Sequence, residues 1–358
     1  MKVGIITHPL HFNYGGILQN YALQQVLKDL GHTPVTLDYM PSLSFRKYLV
    51  QTGKRLLSSP FLSNLRSITP YTHFVERSPQ IDSFIRNNIV LSRKTSKYTD
   101  LILKENNIEA LIVGSDQVWR YSYSYHYLED MFLAFAKDYP CYKIAYAASF
   151  GIEVWDYPLS RAKAAAELVK EFCAVSVREE SGVVLCKREL GVDAVLVLDP
   201  TLLLPASKYD SICTTPRHRK TPYLAAYVLD STAEKESYIN SIAKARGLSI
   251  KIMSAAETGA SIEEWLSFIK NADYVITDSY HGSLFSIIYR KQFETFINKG
   301  RGADRFTSLF HQLGLMDRLI DSPLSPLPIE NVIDYNSVYS QLQQLQKDSI
   351  SYLESSLS

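Results

Sequence analysis

Short apolar runs alternating with amphipathic stretches constrain this chain more than any other feature. "VGIIT" (3–7) precedes "ILQNYALQQVLKDLGH", where Leu23, Leu27 and Leu30 recur on one helical face with Ala22 and Val26 beside them. Gly31 suits the left-handed stop of that helix, and "TPVTLDY" (33–39) resumes as a strand. The pattern continues through "ALIVGS" (110–115), "KIAYAAS" (143–149), "AVSVRE" (174–179) and "AVLVLDP" (194–200). Most of these runs are apolar at nearly every position, so both faces of the sheet must be covered, which predicts α/β architecture with parallel strands.

A second set begins near residue 222 with "PYLAAYVLD", "LSIKIMS", "ADYVITDS" and "QFETFIN", separated by helical patterns such as "AEKESYINSIAKARG" and "SIEEWLSFIKN". The Pro-, Ser- and Thr-rich "LLLPASKYDSICTTPRHRKTP" lies between the sets. The expected organisation is a Rossmann-like domain over 1–205, a second over 206–330, and a C-terminal helix in 331–358. That helix carries Val338, Leu342, Leu345 and Leu353 and is placed to pack back on the first domain. Two such sheets facing each other leave a cleft at the carboxyl ends of their strands, where ligands of open α/β sheets bind.

The 38 Lys and Arg against 37 Asp and Glu leave a net charge of +1, and no nucleic-acid-binding signature accompanies it. No apolar run reaches the roughly 18 residues that span a bilayer. The N-terminus reads straight into a strand instead of a signal peptide, and the four cysteines are scattered, as in a reducing cytoplasm. The expectation is a cytoplasmic protein. A stretch over about 41–75 holds Arg46, Lys47, Lys54, Arg55 and Arg66 with no Asp or Glu. It reads either as a solvated insertion or as a patch for an anionic, membrane-held acceptor, which would bring the protein to the inner face of the membrane.

Dinucleotide, Walker A, nucleophile-elbow and zincin patterns are absent, no two aspartates stand two residues apart, and no metal is expected. The chemistry-bearing segments sit where strands end. In "DYVITDSYHGSLFSIIYRK" (273–291) a buried strand turns into a helix at Ser279, His281, Gly282 and Ser283. A helix N-terminus favours anions, Gly282 would let a backbone approach a ligand, and His281 can give and take a proton near neutral pH. The competing reading is capping, with Asp278 or Ser279 as N-cap and His281 packed. Asn13, Tyr14, Gly15 and Gly16 occupy the same kind of seam after the first strand, flanked by His8 and His11. Asp116 in "VGSDQVWR" suits a general base or a sugar-hydroxyl acceptor, or else a helix cap. Arg178 in "SVREESG" offers a fork for carboxylate or phosphate, or else an ion pair with Glu179, Glu180 or Asp199. "DPTLLL" (199–204) reads as a structural turn.

Taken in order, "NYGGILQNYALQQVLKDLGH", "VGSDQVWR", "YAASFG", "SVREESG", "VLDPTLLL", "DYVITDSYHGSLFSIIYRKQFETF" and "RFTSLFHQLGL" resemble the polysaccharide pyruvyl transferase family, collinearly from about residue 3 to 318. The resemblance implies a fold similar to GT-B glycosyltransferases. It also implies transfer of the carboxyvinyl group of phosphoenolpyruvate to a sugar, usually as a ketal over two hydroxyls, in surface-polysaccharide synthesis. His281 occupies the position of a donor-site histidine. Some relatives place an arginine two residues before it, where this chain has Ser279. The resemblance therefore leaves Arg178 and Arg305 as donor-anion ligands beside Ser279, Gly282 and Ser283. His281 and Asp116 carry the chemistry, and Asn13, Tyr14, Gly15 and Gly16 face a sugar or lipid-linked saccharide acceptor. Phosphoenolpyruvate is expected as a substrate and no cofactor is expected. Two rival readings are a glycosyltransferase of the same fold using a nucleotide sugar and a non-catalytic member of the fold. The sequence gives no oligomeric state.

Overall fold

The computed structural model describes residues 1–40, 77–213, 221–253, 259–321 and 331–358; the basic stretch at 41–75 lies outside them. Two parallel sheets form, as expected. The first contains β1 (Lys2–Ile6), β2 (Thr33–Thr36), β3 (Ala110–Asp116), β4 (Tyr142–Ala148), β5 (Ala174–Val177) and β6 (Val195–Leu196) in the order β2-β1-β3-β4-β5-β6. The second contains β7 (Tyr223–Tyr227), β8 (Ser249–Ile252), β9 (Tyr274–Thr277), β10 (Gln292–Phe296) and β11 (Leu319–Ile320) in the order β11-β10-β9-β7-β8. Helices of nine or more described residues are α1 (Tyr14–Asp29), α2 (Pro79–Asn88), α3 (Leu159–Val169), α4 (Ala233–Arg246), α5 (Ile262–Lys270), α6 (Tyr280–Ile288), α7 (Asp304–Gln312) and α8 (Tyr335–Ser356).

The central strands are the most apolar and the most buried. In β1, Val3, Ile5 and Ile6 are fully buried, and Ile5 pairs with Ile112 of β3. Two strands depart from the sequence expectation. β6 is only two residues long because Asp199 and Pro200 lead the chain into a tight turn over Pro200–Leu203. β11 also has two residues, too few to leave a periodic signal.

Strand order positions the site. In the first sheet the chain runs from β1 out to β2 and returns to β3 on the other side of β1; in the second it runs from β7 to β8 and returns to β9. Each reversal opens a crevice at the carboxyl ends of the two strands involved, β1/β3 and β7/β9. The two crevices face one another. α8 ties the halves together: Tyr339 donates to Ile288 O (2.9 Å) in the second half, and Tyr352 donates to Ala145 O (2.9 Å) in the first. Ser349 Oγ accepts the Leu198 N–H at 3.0 Å. No helix among the described residues is long and apolar enough to cross a membrane.

Candidate active site

A cleft of about 470 Å³ lies between the crevices, lined by the loop after β1, by Asp116 and Gln117 at the end of β3, by Tyr227 and Leu229 at the end of β7, and by Ser279–His281 after β9. Asn13, with extended backbone, precedes the first turn of α1, and its side chain donates to Asp116 Oδ2 at 3.1 Å instead of capping the helix. Gly15 follows in that turn. A Cβ there would lie 2.0 Å from His281 Nδ1, so the absent side chain is where the histidine ring sits. Gly16 is similarly hemmed, a Cβ falling 3.0 Å from Asn13 Nδ2 and 3.4 Å from Asp116 Oδ2. Tyr14 points elsewhere. Its ring packs on Trp265 (5.8 Å between centroids) and its hydroxyl donates to Ala260 O at 2.5 Å, a contact between the two halves and not part of the cleft wall.

Across the cleft, Ser279 is the N-cap of α6; its Oγ accepts the Gly282 N–H at 3.3 Å. A Cβ on Gly282 would stand 2.4 Å from Thr277 Oγ1, so this glycine lets the helix sit close on its own strand. Ser283 Oγ donates to Ser279 O (3.2 Å) and meets Thr295 Oγ1 (2.8 Å) in a fully buried position. Gly282 and Ser283, expected beside a donor phosphate, therefore stand behind the cleft wall, whereas Ser279 and His281 are on it.

Behind His281 lies a buried network of charges. Arg178 is 2% exposed and does not reach the cleft surface. Its guanidinium donates to Asp199 Oδ2 (2.7 Å) and Asp116 Oδ1 (3.3 Å), so the ion-pair alternative describes its present partners. Burial alone would raise the Asp116 carboxyl, but the positive fields of Arg178, His8, His281 and Arg305 outweigh it and hold the group at about 2. Asp116 also has a positive φ of 75°, an uncommon conformation for a non-glycine residue, stabilised by its Oδ1 accepting the Gln117 N–H at 2.8 Å. Asp199 is likewise opposed by burial, but His281, Arg178 and the Thr201 N–H drive its carboxyl far below the ordinary range. The sequence offered it as a turn residue and as one possible partner of Arg178, not as a neighbour of the histidine, yet its Oδ2 lies 3.7 Å from His281 Nε2.

Arg305, near the start of α7, differs from the other arginines of the site. It lines the cleft at 6% exposure, with its guanidinium 5.0 Å from the Tyr280 ring centroid. Its hydrogen bonds go to the Gly302 and Arg301 carbonyls (3.3 and 2.9 Å), and no carboxylate among the described residues is within ion-pair distance. Burial and the like charge of Arg178 lower its pKa to about 10. Neighbouring Arg301 is instead held by Asp230 at 2.6 and 2.8 Å. Much of the remaining lining is aromatic, including Phe12, Tyr123, Tyr127 and Trp265. His8 Nδ1 lies 3.1 Å from the Tyr127 hydroxyl. Such aromatics carry no motif; only the strand order brings them to one place. Among the described residues, no group of three or more His, Cys, Asp or Glu side chains is arranged to hold a metal ion.

The fold is similar to that of S. aureus MnaA, solved with UDP, over 100% of this chain and 91% of that one, at 9% identity and a TM-score of 0.52. It is also similar to UDP-GlcNAc 2-epimerase from Methanocaldococcus jannaschii, over 96% and 92% of the two chains, at 10% identity and a TM-score of 0.50. At such identities the likeness establishes a GT-B-type architecture of two facing parallel sheets and nothing about substrate. No curated protein matches the sequence. A family model does: polysaccharide pyruvyl transferase matches residues 13–298, from the α1 seam through His281 to just past the strand that follows α6. The chain belongs to the polysaccharide pyruvyl transferase family.

Proposed function

We propose that this member transfers the carboxyvinyl group of phosphoenolpyruvate onto two hydroxyls of a saccharide, forming a pyruvate ketal for a surface polysaccharide and releasing phosphate. The observation that carries the reading is Arg305, a buried cation on the cleft wall with no carboxylate partner among the described residues, in the same cleft as His281. A desolvated guanidinium of this kind favours a ligand that brings its own negative charge. Phosphoenolpyruvate brings a carboxylate and a phosphate, and the N-terminus of α6 adds its dipole on the same wall.

The second half is assigned to the donor and the first half, with Asn13, Gly15, Gly16 and Asp116, to the acceptor. His281 protonates the methylene carbon, leaving an oxocarbenium-like centre at the carbon that bears the phosphate. An acceptor hydroxyl attacks that carbon and gives up its proton as the new C–O bond forms. Phosphate then leaves with the electrons of its C–O bond, and the second hydroxyl closes the ketal, releasing its proton. One histidine can serve as acid in one step and base in another, and positioned proton transfer contributes about 10²–10⁴ in rate. Asp116, ionised to about pH 2, is a weak base at neutral pH and suits hydrogen bonding to an acceptor hydroxyl and stabilising the cationic centre. Arg178 acts on the site through Asp116 and Asp199. The basic patch as a tether to lipid-linked acceptors belongs to the same proposal.

The test is phosphate release from phosphoenolpyruvate across a panel of free and lipid-linked saccharides, with mass spectrometry for the added carboxyethylidene group. Turnover should depend on acceptor and vanish in His281→Asn. Consumption of a nucleotide sugar with phosphoenolpyruvate intact would overturn the reading in favour of glycosyl transfer.

A further inference from the structure

We propose that Asp199 is the positioning residue of the cleft histidine: it takes the Nε2–H of His281, so that Nδ1 is the atom that exchanges the proton with substrate. The inference rests on the reading of His281 as the acid–base group, and its central measurement needs no substrate.

The geometry is that of a carboxylate held from all sides but one. Asp199 Oδ1 accepts from Thr201 N (3.0 Å) and Thr201 Oγ1 (2.8 Å). Oδ2 accepts from Ser115 Oγ (2.8 Å) and Arg178 NH1 (2.7 Å). These four donors come from three separate segments and fix a group that is 1% exposed. His281 Nε2 lies 3.7 Å from Oδ2 and is a buried nitrogen with no hydrogen-bond partner. That separation exceeds a hydrogen bond by less than 1 Å, and catalytic hydrogen bonds in unliganded sites commonly tighten when substrate arrives. Nδ1 points the other way, to Gly15 on the cleft wall.

Capping of the turn after β6 would account for Oδ1 but not for Oδ2. The charged groups facing His281 are Asp199 and Asp116 on one sign and Arg178 and Arg305 on the other, with Tyr280 beside it on α6. Of these groups, Asp199 is the one recorded within 4 Å of a ring nitrogen, so it is the one placed to decide the tautomer. The tautomer of a histidine is set by the hydrogen bond its other nitrogen makes.

The test is ¹⁵N NMR of the His281 ring in the full-length protein without substrate, at a pH where the imidazole is neutral. The expected spectrum has a protonated Nε2 and a pyridine-type Nδ1. Asp199→Asn should mix or invert the two tautomers, while Thr201→Val, which removes a bond only to Oδ1, should leave them as in the wild type. In steady state, Asp199→Asn should lower kcat by about 10²-fold or more, within the range of proton-transfer catalysis, with a smaller change in KM. A neutral wild-type ring protonated on Nδ1 would overturn the proposal even if Asp199→Asn failed to fold, and so would an unchanged tautomer in a folded variant. If the tautomer behaves as expected but phosphoenolpyruvate is not consumed, the proposed reaction fails and the positioning role stands.

Discussion

Arg305→Met separates the donor reading from a structural role because the two predict opposite signs. The guanidinium is 6% exposed, and burial together with Arg178 lowers its pKa to about 10, well below the usual arginine value. A cation whose folded pKa lies below its unfolded one destabilises the fold wherever both states are charged, and the penalty fades only as the pH rises through the folded value. That shift corresponds to about 3 kcal/mol at neutral pH. Methionine fills similar length without the charge. It forfeits the hydrogen bonds to Gly302 O and Arg301 O, about 1 kcal/mol each. The net expectation is a variant about 1 kcal/mol more stable than the wild type, read as a higher urea midpoint and a melting temperature raised by about 1–2 degrees. Donor anions should behave in reverse. Phosphoenolpyruvate or phosphate at 100 times its Kd should stabilise the wild type by about 2.7 kcal/mol, and this increment should disappear in the variant. A less stable variant whose ligand-induced shift survives would refute the argument, since Arg305 would then be an ordinary structural arginine.

Gly15→Ala would place a Cβ 2.0 Å from His281 Nδ1; moving the ring by about 1 Å should lower kcat about 10²-fold in a folded protein, measured by phosphate release. Asp116→Asn should cost stability at pH 7 and progressively less as the pH falls. The Asp116 carboxyl titrates at about 2 when folded against 3.8 otherwise, so its contribution, about 2 kcal/mol, is present above pH 4 and lost towards pH 2; urea unfolding at several pH values should show the gap closing, and a widening gap would contradict the sign. Gly302→Ala puts a side chain at φ 97° with its Cβ 2.3 Å from Gly151 O, across the junction of the two halves, and should destabilise by about 1–3 kcal/mol in thermal melts.

How much of this was legible in the sequence depended on how local each signal was. Strands β1, β3 and β4 were visible because they lie in the middle of the sheet and are apolar at most positions. β6 and β11 were not, since two paired residues carry no period. The seams after β1, β3 and β9 that meet in the cleft were visible where their strands end, but which way each side chain faces was not. Tyr14 and Gly15 are adjacent in sequence, yet the turn of α1 sends one to Ala260 and the other against His281. Asp199 shows the same limit within one side chain: the oxygen that caps its own turn follows from "DPT", while the oxygen facing His281 depends on assembly of both halves.

The departure at Ser279 has a physical consequence on the proposed reading. Ser279 Oγ accepts the Gly282 N–H and closes the first turn of α6. An arginine at this position could not accept that bond, since a guanidinium has donors only, but it could reach an anion in the cleft. This chain therefore has a capped helix on the donor wall and lacks the cation that some relatives would place there. A phosphoenolpyruvate site with no compensating cation would be left to the α6 dipole, worth on the order of 1 kcal/mol. Arg305 supplies the cation from a different element: it packs on Tyr280, the residue between the serine and the histidine, and lines the same cleft. The charge is then carried by α7, so donor affinity should respond to substitutions on α7 that leave the cap and the histidine untouched, and replacing Ser279 by alanine should cost helix stability more than donor binding.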